Sequence, residues 1–134
     1  MARDSTGAGG GGAGVETTIW SSAEIDLKVA GEVLLVLPAG ASIGFIDEVG
    51  IVCTARSGSI ASEASMTWGV HGALAKYHGA ESLADLTAAN TTRVKFNTTL
   101  VDVGETAPAV NVSVAATGSG TLKGKAYMKV TIIP

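Results

Sequence analysis

Two histidines, one cysteine and a scatter of carboxylates are the residues of this 134-residue chain that could do chemistry. A metal site takes three or four ligands at short spacing. The acids nearest to His71 and His78 are Glu81 and Asp85, which fit no such spacing and read as solvated positions. Nucleophilic catalysis needs a positioned nucleophile and base. Serines are plentiful here, so a His–Asp–Ser set can always be drawn from such a chain, and drawing one does not establish a triad. Cys53 sits in an apolar run, which makes it a small buried hydrophobe rather than a reactive thiol. As the single cysteine it also excludes an internal disulfide.

Two glycine patterns invite a phosphate-binding reading, and both fail on context. Gly7, Gly9 and Gly12 make a formal G-x-G-x-x-G, yet it follows no strand and opens no helix. The stretch from Gly118 to Lys125 lacks the glycine spacing of a phosphate loop, and a strand pattern follows it instead of a helix. Its glycines and serine are expected to form a hairpin turn. The expectation is a protein that is not an enzyme and has no catalytic, metal or cofactor site.

Composition bounds what such a chain can be. Its length suits one domain with one core. Hydrophobic residues reach 46%, yet charged residues are only 16%, against roughly 25% in soluble domains. No stretch is long and apolar enough for a membrane span, so surface covered by other subunits is the physical alternative. The N-terminus lacks a charged region followed by an apolar core, so no signal peptide is expected. The sequons at Asn90, Asn97 and Asn111 are then expected to be incidental.

Net charge is −3, unevenly spread. Acids dominate residues 15–89, whereas Arg93, Lys95, Lys123, Lys125 and Lys129 dominate residues 90–134. Without interleaved aromatics these five do not make a nucleic-acid surface. They form either a solvated face or a basic surface that meets an acidic neighbour.

These residues must be positioned by strands. Residues 1–14, MARDSTGAGGGGAG, form an arm with no side chains to offset the entropy of ordering glycine, so only a partner would order it. From residue 15 to 134 the pattern has period two. Ile25, Leu27 and Val29 alternate with charge, and Phe45, Asp47, Val49, Ile51 and Cys53 share one parity, with Asp47 the exception at an edge. Ala64, Met66, Trp68 and Val70 share a face, as do Val110, Val112 and Val114. Residues 71–80 read as irregular and 81–89 as one or two helical turns. In the last strand Leu122, Ala126, Met128 and Val130 point inward, with Lys123, Lys125, Tyr127 and Lys129 outward. About eight strands with turn signals between them predict an all-β fold, an antiparallel, jelly-roll-like β-sandwich behind an extended arm. Trp20, between the arm and the first strand, is either a cap on the sandwich or an anchor on a partner. The candidate partner-binding residues are Gly9, Gly10, Gly11, Gly12, Trp20, Arg93, Lys95, Lys123, Lys125 and Lys129.

From Leu37 onward the chain resembles small structural proteins of tailed bacteriophages, especially head decoration (cement) proteins. The residues that carry the resemblance are LPAGASIGFIDEVGIVCTA, ASMTWGV and APAVNVSVAATGSGTLKGKAYMKVTII. The resemblance implies a virion β-sandwich on the outer surface of the capsid, a homotrimer that binds the major capsid protein and reinforces the head. It implies no catalytic residue, nucleic acid or membrane contact. A tail or neck component and a receptor- or carbohydrate-binding module are the alternatives.

Overall fold

The computed structural model describes residues 16–36, 44–102 and 107–132. The arm and its glycines Gly9 to Gly12 lie outside the described residues. The strands are β1 (Glu16–Ser21), β2 (Ile25–Asp26), β3 (Gly31–Leu34), β4 (Gly44–Ser57), β5 (Ser65–Val70), β6 (Ala73–Ser82), β7 (Arg93–Asp102), β8 (Pro108–Val114) and β9 (Thr121–Ile132). Two antiparallel sheets form the expected sandwich. One has the order β1-β9-β4-β7, with β2 also on β9, and the other the order β3-β8-β5-β6.

Strong alternation places the central strands. In β9 Leu122, Ala126, Met128 and Val130 are buried, and in β5 Met66, Trp68 and Val70 join Val110 and Val112 of β8 in the core. Trp68 crosses the core, its indole Nε1 donating to the Gly50 carbonyl of β4 at 3.1 Å. At the edge where β6 and β7 meet, the His78 ring stacks on Phe96 (centroids 4.8 Å apart), and Trp68 meets both rings edge-on. Cys53 is fully buried.

Several expectations are corrected. A bulge between Ile46 and Glu48 shifts the parity of β4, so Ile46, Val49, Ile51 and Cys53 are buried while Asp47 leaves that face. Asp47 is also on no edge, because β4 lies between β9 and β7. Its Oδ2 accepts from Thr131 Oγ1 at 2.8 Å. Residues 71–80 are not irregular: His71 and Gly72 make a tight turn (Gly72 φ 90°) from β5 into β6. Residues 81–89 form no helix, since Glu81 and Ser82 finish β6 and the ladder runs on through Leu83 N to Ala64 O at 2.9 Å. Leu83 and Leu86 are both fully buried, held by a turn in which Leu86 N donates to Leu83 O at 3.1 Å. Val29 and Val114 do not face the core; they are 61% and 55% exposed.

The segment after β8 is a corner between sheets, not a hairpin, because β8 and β9 belong to different sheets. Thr117 bridges to Ser62, and Gly120 N donates to Ser59 O at 2.7 Å. Gly118 holds φ 113°, and a Cβ there would stand 2.4 Å from Ser59 O. That contact, rather than hairpin geometry, requires the glycine.

Candidate interaction surface

Alternation along β9 and β7 sends Lys123, Lys125, Lys129, Arg93 and Lys95 to one side of their sheet, away from the core. Pairing through β4 then sets them in rows. Val52 is opposite Arg93 on one side and Lys125 on the other. Gly50 is likewise flanked by Lys95 and Tyr127, with Ser21 beyond Tyr127. Glu48 is flanked by Asn97 and Lys129, with Ile19 beyond. The structure therefore gathers all five basic candidates on the outer face of the β1-β9-β4-β7 sheet. Arg93, Lys95 and Lys125 are exposed; Lys123 and Lys129 are half-buried.

The face is built around Tyr127. Its ring lies over Gly50, where a Cβ would meet the ring at 2.8 Å and the Val94 carbonyl at 2.3 Å. A glycine under an aromatic ring lets the ring lie flat on the sheet. Only 7% exposed, Tyr127 donates its hydroxyl to Glu48 Oε2 at 2.6 Å. Arg93 Nη1 stands 3.5 Å from the same hydroxyl and 3.8 Å from Glu48 Oε2. Burial first, then the hydrogen bond to Glu48, push the Tyr127 hydroxyl up to about 12. The hydroxyl thus stays protonated and donating at neutral pH, which holds the Glu48 carboxylate against the sheet.

Beside Tyr127 the face hollows into an open cleft of about 470 Å³, lined by Ile19, Ser21, Val52, Thr54, Asn90, Arg93, Lys125, Ala126 and Tyr127. Its floor is largely apolar and two cations flank it. Asn90, with φ 61°, closes one side through a turn whose backbone N donates to Cys53 O at 2.8 Å. Thr54, in the lining, donates its Oγ1 to Glu24 Oε2 at 2.7 Å. The dimensions suit a few side chains of a ligand or partner, with charge at the rim and apolar contact below.

Trp20 is not a partner anchor. It is 1% exposed, at a position of β1 opposite Met128, and belongs to the core. Ile19, its neighbour, is the residue of that pair that faces outward, 49% exposed in the cleft wall. Sequence reading missed Ile19, Glu48, Val52 and Asn90. Two adjacent apolar residues leave the parity of β1 open, and the β4 bulge hides that of Glu48. The histidines occupy separate places. His71 Nδ1 lies 2.6 Å from Glu32 Oε2, and His78 Nε2 lies 2.7 Å from Glu81 Oε2. Among the described residues no group of three or more His, Cys, Asp or Glu could hold a metal ion.

No protein family matches the sequence, and no curated protein does. Among solved structures, a chain of the cyanophage Pam1 capsid asymmetric unit is similar over 98% of this chain and 94% of that one, with a TM-score of 0.57 and 17% identity. At that identity the likeness shows a common fold.

Proposed function

We propose that this protein is a structural component of a bacteriophage virion, a decoration (cement) protein that binds the major capsid protein lattice and stabilises the head. The observation that carries the reading is the likeness to a chain of a capsid asymmetric unit, which takes in nearly the whole of both chains. Strand order supports it. With β2 set aside, the orders β1-β9-β4-β7 and β3-β8-β5-β6 are compatible with the two sheets of a jelly roll, the architecture of many capsid domains. Low charge supports it as well, since an assembled subunit has surface to cover. The role needs no catalysis and no cofactor. Its mechanism is contact area across subunit boundaries, repeated by the symmetry of the shell so that modest contacts add up. In this reading the protein sits on the outer capsid surface as a homotrimer.

Labelling particles of the encoding phage with an antibody to this chain tests the proposal. Label spread over the whole head is expected. Label confined to the tail or neck would sink the cement reading and leave a different virion component.

A further inference from the structure

The two faces of the sandwich differ in charge, and that difference bears on how the protein docks. We propose that the outer face of the β1-β9-β4-β7 sheet is its docking surface, and that the occupant of the cleft is an acidic segment of the lattice subunit bearing an aliphatic side chain. This rests on the capsid reading above.

Charge complementarity selects the occupant. Arg93 and Lys125 flank Val52 from the two neighbouring strands, and Lys95 follows one row along. Glu48, the acid among them, has a side chain only 14% exposed and is held by Tyr127, so it offers an incoming group little. Glu24 is not among the residues lining the cleft and accepts from Thr54, which is. Both charged residues that line the cleft, Arg93 and Lys125, are cations, with Lys95 one row along. The ionised Glu48 offsets Arg93 in part, so the cleft leans positive although the chain as a whole carries −3. A basic segment would be repelled and a neutral one would leave Lys125 and Lys95 without a counter-charge, whereas a carboxylate between Arg93 and Lys125 meets both. The apolar floor sets the second requirement. Ile19 is one of the few large hydrophobic side chains left exposed, and it stands in the wall with Val52 and Ala126 close by. An aliphatic side chain laid there is removed from water while the carboxylates stay at the rim, which is the arrangement of an interface with an apolar centre and a polar edge. Arg93 is already steered by Glu48 and Tyr127, so less side-chain freedom is lost on binding.

The test has two arms. In the first, purified full-length protein and variants are added to particles of the encoding phage that lack it. Lys125→Glu and the double variant Arg93→Glu/Lys125→Glu should bind about tenfold weaker or worse at low salt. Leu34→Glu, on the opposite sheet, should stay within about twofold. Lys125→Glu leaves the Tyr127–Glu48–Arg93 contacts alone, so its loss of binding is not a loss of fold. Full binding by both reversed variants, or loss confined to Leu34→Glu, would overturn the assignment. If the reversals lower the mass in sedimentation equilibrium but spare particle binding, the occupant is a second copy of this chain and the proposal is wrong. In the second arm, the isolated protein is titrated with the peptide acetyl-Glu-Leu-Glu-Leu-Glu-amide and followed by amide NMR shifts. Shifts centred on Ile19, Val52, Arg93 and Lys125 are expected at about 1 mM, and none with the Lys-Leu counterpart. Peptide binding in the cleft with no binding to particles would sink the capsid reading while keeping the acidic chemistry. Particle binding unaffected by reversal, with no peptide shifts, would do the opposite.

Discussion

The two sheets spend their outer faces differently. The inner strands of one, β9 and β4, carry Lys123, Lys125, Lys129, Asp47 and Glu48 there, whereas the inner strands of the other, β8 and β5, carry no charged residue at all. Alternation turns Ser65, Thr67, Gly69, Ala109 and Asn111 outward on that second sheet, and Ala109 and Thr67 are nonetheless buried, at 0% and 8% exposed. Small residues there let neighbouring chain cover the sheet. Gly69 shows how close it comes, since a Cβ would lie 2.2 Å from Ala73 O. The first sheet instead holds a ring over Gly50 and charges around it. The charges of the inner strands thus fall on one sheet and not on the other, and a face of that kind is organised for a partner more readily than a uniform one.

The charged face is most vulnerable at Gly50. Gly50→Ala drives a methyl into the Val94 carbonyl and the Tyr127 ring, and backbone cannot yield as a flexible side chain does. A loss of about 3 kcal/mol is expected in urea unfolding, with Trp68 and its bond to the Gly50 carbonyl disturbed as well. At Gly79, in edge strand β6 of the other sheet, an added methyl would have nothing within 4 Å. Gly79→Ala should change stability by less than about 0.5 kcal/mol. Similar losses at both positions would show that the ring over Gly50 does not organise its face.

Much of this was legible in the residues, and the reasons it stopped are local. The face directions of β9, β5 and β7 follow from clean alternation, so the lysines could be assigned outward. That Arg93 and Lys125 flank the same Val52 depends on β4 lying between β7 and β9, a pairing of distant segments that no spacing reveals. Edge strand β6 escaped because its sides are not divided into apolar and polar: Ala73, Ala75 and Lys76 are exposed while Tyr77 is buried. Leu83 and Leu86 carry helical spacing, yet a turn buries both. Trp20 was ambiguous because Ile19 is equally apolar, and only the register with Met128 and Lys129 decides which enters the core.

A milder change sharpens the charged side. The Tyr127 hydroxyl titrates at about 12, above the ordinary 10 expected unfolded. The folded chain therefore holds this proton more tightly, so the stabilisation is complete below pH 10 and is lost as pH rises from 10 towards 12. Ultraviolet titration can separate the two tyrosines of the chain, and the one that titrates near 12 should vanish in Tyr127→Phe. That variant should lose about 1 kcal/mol at pH 7, because a hydrogen bond to a carboxylate goes, and should lose the alkaline decline with it. An alkaline decline unchanged in Tyr127→Phe would place its origin elsewhere.

The smallest effect belongs to the uncharged side, and its sign is the informative part. Thr67 Oγ1 is buried on the outer face of the second sheet without a hydrogen-bond partner. Thr67→Val keeps the branched shape a strand prefers and replaces a hydroxyl that has given up water for nothing in return. Stability should rise by up to about 1 kcal/mol, read as a shift of the urea midpoint at constant slope. The opposite sign would mean that the hydroxyl finds a partner in solution. The uncharged face would then be polar in practice, and the contrast between the two sheets would rest on charge alone.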